Sequence, residues 1–239
     1  MTDQPIFEAQ YVEKRSRLTT FFRAILAIPH FIVLSVWGFL AFFAIVAAWF
    51  ALVITGRYPQ ALYDFVAGLQ RYSTAVYGYI ALLTDAYPPF SADTDSYPVH
   101  IKIPPPKAEY NRLKVLFRII LAIPVFIIVY AMQIVWEIGA VIAWFVILIL
   151  GKQPKGLQDM IVLGISYQQR ANAYICLLTE DWPPFTDPQN EALEGATTSS
   201  GLPPAPASPA PPAAPEAPGG QTGTGGTGLP PGSSNPFGE

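Results

Sequence analysis

Arg17-Leu18, Phe22-Arg23 and Ile25-Leu26-Ala27-Ile28-Pro29 return 95 residues later as Arg112-Leu113, Phe117-Arg118 and Ile120-Leu121-Ala122-Ile123-Pro124. Each copy leads into 26 nearly unbroken apolar residues, 30–55 and 125–150. As helix, each run extends about 39 Å, more than a hydrocarbon core of roughly 30 Å. The chain therefore reads as two tandem copies of a unit built around a transmembrane helix. Only His30 and Glu137 interrupt these runs with an ionisable group.

Composition agrees with this reading. The chain is 51% hydrophobic and 13% charged, against about one quarter charged in a soluble domain. A net charge of −3 points to no nucleic-acid partner. Cys176 is the single cysteine, so no intrachain disulfide is available. It sits among Tyr174-Ile175 and Leu177-Leu178 and reads as a small buried hydrophobe. The first apolar run is about twice the length of a signal h-region, so it is expected to stay as an anchor.

Residues 1–15 read as an exposed polar arm. Leu18, Phe21, Phe22, Ile25 and Ile28 recur at helical spacing, as do Leu113, Leu116, Phe117, Ile120 and Ile123. Arg17, Arg23, Arg112 and Arg118 lie off these stripes. The spacing predicts two amphipathic interfacial lead-in helices with arginine heads in water. Pro29 and Pro124 would turn the chain from the interface into the bilayer.

Gly56-Arg57-Tyr58-Pro59 and Gly151-Lys152-Gln153-Pro154-Lys155 punctuate the ends of the spans. Turns this short predict antiparallel helical hairpins with segments 60–85 and 155–180. Those segments carry an apolar stripe, with Asp64, Arg71 and Asp159 opposite it. They either span the membrane with a polar face toward the bundle or lie in its surface. The units close on Leu82-Leu83-Thr84-Asp85-Ala86-Tyr87-Pro88-Pro89-Phe90 and Leu177-Leu178-Thr179-Glu180-Asp181-Trp182-Pro183-Pro184-Phe185. Prolines that stop a helix beside Tyr87 or Trp182 suit an interfacial anchor.

The organisation is thus an all-α membrane protein. An arm (1–15) precedes repeat 1 (16–90), a Pro-containing linker (91–111), repeat 2 (112–186) and a tail (187–239). The linker holds Pro104-Pro105-Pro106 and reads as extended. The tail is Pro-, Ala- and Gly-rich and predicts disorder. Its segment Pro203–Pro218 has the composition of a polyproline II ligand, and Asn235-Pro236-Phe237 resembles a short endocytic peptide motif.

Two topologies compete: four spans with both hairpins in one orientation, or two spans of opposite orientation with segments 60–85 and 155–180 on the surface. Lys14, Arg15, Arg17 and Arg23 precede the first span; Lys102, Lys107, Arg112, Lys114 and Arg118 precede the second. Placing both basic groups in the cytoplasm favours four spans, with both hairpins pointing the same way and both termini cytoplasmic. Glu137 and Arg170 fall at one depth when counted from the Gly151 turn, and repeat 1 has Phe42 and Ala75 there. An unpaired intramembrane charge costs at least about 2.5–3.5 kcal/mol, so a Glu137–Arg170 salt bridge is expected. Asp64 and Asp159 suit helix N-termini.

The chain resembles a bacterial integral-membrane family known as a domain of unknown function. The likeness rests on Ile28-Pro29-His30, Arg71-Tyr72 and the closing Thr84-Asp85-Ala86-Tyr87-Pro88-Pro89-Phe90. It extends over both copies, roughly residues 16–186. It implies a multi-pass protein of the bacterial inner membrane and brings no reaction with it. The family's second arginine is Ala75 in copy one; copy two has Ser166 then Arg170, and Val125 in place of His30.

Residues that carry chemistry are sparse. The chain has no phosphate loop, no His-Glu-x-x-His and no nucleophile elbow, and His30 and His100 lack companions at metal-ligand spacing. No enzyme activity and no cofactor is expected. The leading reading is a non-enzymatic scaffold or accessory subunit with the lipid bilayer and a membrane protein as partners. The rival is a small transporter or channel whose groove is lined by Glu137, Arg170, Asp159, Asp64 and Arg71. A lipid-modifying enzyme is the third class.

Overall fold

A computed structural model describes residues 4–185. Residues 1–3 and the tail, with its Pro-rich run and Asn235-Pro236-Phe237, lie outside the described residues. In chain order the elements are β1 (Ile6–Ala9), α1 (Arg17–Thr55), α2 (Gln60–Ile80), β2 (Val99–Lys102), α3 (Arg112–Leu116), α4 (Arg118–Leu150) and α5 (Lys155–Ile175).

Ser16 caps α1, its hydroxyl accepting from the Thr19 amide, and Gly56 ends the helix in the left-handed region at φ 72°. Gly151 does the same for α4 at φ 70°. A Cβ there would lie 3.2 Å from the Nε of Arg112 or Arg17, the end of a flexible side chain that can shift, so it is the backbone conformation that calls for glycine. Leu82 and Leu177 also take positive φ, 66° and 65°, where α2 and α5 end. Their following amides turn back to the carbonyls of Gly78 and Ala173, the reversal that usually employs glycine.

The lead-in segments differ from expectation. Pro29 lies inside the continuous 39-residue α1, so the chain makes no corner there. Its ring sits on the exposed side, and a lost hydrogen bond is outweighed by the helix-forming runs on either side. In copy two, Asn111 caps the five-residue α3 and the helix breaks at Phe117, not at Pro124, which is inside α4.

The fold is mostly helical but not all-α. β1, in the supposed arm, pairs antiparallel with β2, in the supposed linker, with Phe7 opposite Ile101 and Glu8 opposite His100. Phe7, Val99 and Ile101 are buried, whereas Glu8 bridges Lys102 at 2.7 Å and His100 at 3.0 Å. The sheet packs on α2 and α5, which pack on α1 and α4. The core lies between these layers, in clusters such as Leu52, Val66 and Ile101 and, nearer β1, Phe7, Ala75 and Ile161.

The halves do not point the same way. The Arg15 amide donates to the Gly151 carbonyl and the Gln153 amide to the Glu13 carbonyl, so the start of α1 meets the end of α4. The Tyr110 amide donates to the Gly56 carbonyl, so the end of α1 meets the start of the second unit. Helices α1 and α4 are therefore antiparallel, and the 95-residue offset acts as a pseudo-twofold axis. Among the described residues only these two helices are long and apolar enough to cross a membrane; α2 and α5 are not. The four-span arrangement with parallel hairpins is thereby replaced. The burial of α2 and α5 explains why: their mixed composition suits a layer covered on both sides.

Candidate functional site

Two buried arginines, one per repeat, form the most elaborate polar centres. Arg23 and Arg118 are each 4% exposed, so neither is an interfacial anchor with its head in water. The Arg23 guanidinium pairs with Asp85 at 2.7 Å and donates to the Thr84 carbonyl at 2.9 Å and to that of Tyr79. It also lies 4.5 Å from the centre of the Tyr79 ring. Asp85 accepts the Ser16 amide at 2.8 Å, tying the centre to the cap of α1.

The second centre repeats this frame and changes its charge. Arg118 donates to the Thr179 carbonyl at 2.9 Å and lies 3.9 Å over Tyr174. Glu180, the counterpart of Asp85, accepts the Asn111 amide at 2.6 Å and faces Lys107 at 3.7 Å. Among the described residues Arg118 has no carboxylate within ion-pair distance. Its Nε and Nη1 are sealed from solvent without a hydrogen-bond partner.

Beside the first centre, the three segments that carry the family resemblance converge. His30 is fully buried, its Nδ1 is 2.7 Å from the Tyr72 hydroxyl, and its ring stacks on Phe90 at 4.2 Å and 9°. Tyr87 covers the same imidazole at 4.7 Å and donates to the Leu26 carbonyl. The closing segment therefore folds back as a lid on His30. In copy two Val125 replaces the imidazole, and Tyr167 stacks on Phe185 at 5.1 Å.

Arg15 forms a third buried contact set. It donates to Gln153 and Gln158 at 3.1 Å and to the Leu83 carbonyl at 2.7 Å. Burial pulls its pKa down, and the nearby Asp85 opposes that shift.

The structure does not gather the expected polar groove. Glu137 is exposed and its carboxylate accepts from Gln133 at 2.7 Å; it makes no ion pair with Arg170 among the described residues. Glu137 directly follows Trp136, which is on the packed stripe of α4, and one residue turns a helix by about 100°. The depth differs as well: Gly164 of α5 packs against Trp136 and Gly139 of α4 against Ile161, a register that puts Arg170 about two turns along α4 from Glu137. Arg170 is buried and donates to Ser166 at 3.3 Å. Asp64 accepts from Gln60 and Asp159 pairs with Lys155 at 2.9 Å, both one turn away within exposed helix starts. Arg71 is half-buried and not paired with Asp64. Arg17 and Arg112 are exposed, yet each donates to the last turn of the other unit's long helix, at Ile149 and Thr55. Tyr87 and Trp182 are exposed, and Trp182 lies 5.9 Å from Tyr174. Among the described residues, no three His, Cys, Asp or Glu side chains come together as metal ligands.

Tyr79 and Tyr174 are not among the candidate site residues of the sequence, Arg15 enters there only among the basic residues before the first span, and Tyr72 only as part of the family likeness. The signal that finds the tyrosines is the offset itself: 23, 79 and 84 map onto 118, 174 and 179. Comparison with curated proteins and with solved structures yields no match. A family model described as Domain of unknown function (DUF4389) matches residues 17–92 and again residues 112–187. The arginine centres, the aromatic lids and the glycine turns all fall inside those two stretches, and the chain belongs to this family, whose domain it carries twice.

Proposed function

We propose that this is a monotopic membrane protein, with α1 and α4 immersed lengthwise in one leaflet and α2, α5 and the sheet toward water. The observation that carries the reading is the extent of exposed apolar surface. Only 17% of the most apolar stretch of α1 and 22% of that of α4 is buried. Exposed apolar side chains run from Leu18 to Ile54, about 54 Å of helix at 1.5 Å per residue. A perpendicular crossing needs only about 30 Å.

Two further features support it. The sheet runs beside α2 and α5 and carries Glu8, His100 and Lys102 on its outer side. A crossing would sink this two-edged sheet to bilayer depth, where open sheet edges do not occur. Basic residues also flank both ends of the antiparallel pair: Lys14, Arg17, Lys152 and Lys155 at one, Arg57, Lys107, Arg112 and Lys114 at the other. A crossing divides them between two compartments, against the usual cytoplasmic bias. Lying flat sets the pseudo-twofold axis along the membrane normal and gives both groups to the cytoplasmic face of the bacterial inner membrane.

In this setting the protein serves as a non-enzymatic scaffold or accessory subunit, offering its polar sheet side to a protein partner. The space between the halves is occupied: Gln70 donates to Gln169 at 2.6 Å and Thr74 to the same oxygen at 3.2 Å, which leaves the transport reading without a groove there. The test is labelling of Arg57→Cys and Lys152→Cys, each in a Cys176→Ser background, with a membrane-impermeant maleimide. Both sites label from the cytoplasmic side only if the protein lies flat. One label on each side would overturn the reading.

A further inference from the structure

The pseudo-twofold relates two grooves between α1 and α4, both open on the apolar face. One is bounded by Arg23, Leu82, Val141 and Trp144 and encloses about 270 Å³. The other is bounded by Arg118, Leu177, Val46 and Trp49 and encloses about 440 Å³, within the range of roughly 300–1,000 Å³ for small-molecule sites. The residues correspond one for one at the 95-residue offset, but the charge does not. In the first groove Asp85 neutralises Arg23. In the second, Glu180 is engaged by Asn111 and Lys107, and Arg118 presents a buried positive charge with two donor atoms unpartnered.

We infer that the second groove binds a long-chain fatty acid, its carboxylate on Arg118 and its acyl chain along Val46 and Phe42. Glu180 acts on the Arg118 charge only from beyond ion-pair contact, and an anion that reaches the buried guanidinium forms a charge-assisted hydrogen bond in a water-poor setting. Apart from Arg118 the lining is apolar, including Phe42, Val46, Ile119 and Leu177. It offers nothing to a glycerol, sugar or amine headgroup. Trp49, the remaining polar side chain of the wall, already donates to the Val115 carbonyl at 3.1 Å. An occupant with one anionic end and otherwise hydrocarbon matches that lining. The inference rests on the membrane reading above only in taking the bilayer as the source of the fatty acid.

The test uses the full-length chain in mild detergent, with oleate titrated and bound ligand counted by native mass spectrometry. A single oleate is expected per chain, and methyl oleate, which keeps the chain but lacks the charge, should bind weaker by about tenfold or more. Arg118→Gln should produce a similar loss. Val46→Trp fills the groove from a position half-exposed to lipid and should abolish binding while leaving the melting temperature near that of the wild type. It decides the matter if Arg118→Gln fails to fold. Equal binding of methyl oleate, undiminished binding in Val46→Trp, or displacement by equimolar phosphatidylglycerol would each overturn the proposal. Because this assay is done in solution, its failure is separate from a failure of the labelling test for membrane orientation.

Discussion

The Trp49 indole donates to the Val115 carbonyl at 3.1 Å, and Trp144 donates to the Thr20 carbonyl at 3.2 Å, each across the boundary between the repeats. The two bonds are one relationship seen twice, at opposite ends of the antiparallel pair. Replacing either tryptophan by phenylalanine removes the indole donor that joins the two repeats, while each carbonyl keeps its contact within its own helix. Each change should lower stability by about 0.5–1.5 kcal/mol, and the two should add, because the sites share no partner. Chemical denaturation of the single and double variants in detergent checks both statements.

Glycine at 164 lets α5 approach the backbone of α4. A methyl group there would lie 2.7 Å from the Trp136 Cβ and 2.8 Å from the Met132 carbonyl oxygen. Neither is the far end of a flexible side chain, so the helices must separate. Gly164→Ala should destabilise by about 1–3 kcal/mol, the usual range for overpacking. Gly156→Ala, at the start of the same helix and with nothing within 4 Å, should instead gain up to about 1 kcal/mol from helix propensity. Paired melting curves would separate the two.

The His30 Nδ1 and the Tyr72 hydroxyl are each other's partners inside the aromatic lid, while His30 Nε2 has none. Tyr72→Phe strands the imidazole and His30→Val, the residue pattern of copy two, strands the phenol. Each single change should cost about 1–3 kcal/mol as a buried polar group loses its partner. The double variant should recover part of that loss, and a double-mutant cycle measures the coupling. Additive losses would show that the hydrogen bond contributes nothing.

Alkaline stability follows from groups outside the two long helices. Burial pushes the Cys176 thiol up from 9.0 to about 11, and also raises the Tyr58 and Tyr97 phenols above their ordinary value. The folded chain keeps these protons to higher pH than the unfolded chain does. Between the two values it binds more protons, so stability is full below pH 9.0 and falls as pH rises through the window. Melting temperatures from pH 7 to 11 should therefore be flat and then decline. In the same range Cys176, partly buried and with its thiol pKa raised, should react with maleimide more slowly in the folded chain than in the denatured one.

Much of this was readable beforehand, and for identifiable reasons. A 95-residue offset, two long apolar helices and the glycines that end them are local features, and each appears in the structure. Which side of an apolar helix meets protein and which meets lipid is not written in hydrophobicity alone. That is why Glu137 is exposed while Arg170 is buried, and the register of α5 along α4 is equally a product of packing, set where Gly164 meets Trp136. The sheet leaves only a weak trace in the sequence: Val99-His100-Ile101-Lys102 alternates, but Ile6-Phe7-Glu8-Ala9 carries a single polar residue, and four residues make a short pattern. The Pro-Pro-Phe ending reads locally as an interfacial stop, and only tertiary structure folds Phe90 back onto His30.

The crossed contacts of Arg15 with Gly151 and of Tyr110 with Gly56 bear on how the chain is made. When the ribosome has released the first repeat, its opening segment can already reach Asp85 through Ser16 and Arg23, but the second half of its anchorage, at Gly151, has yet to be synthesised. A truncation before that turn should leave the segment half-fastened, a product that the cell's quality-control proteases remove.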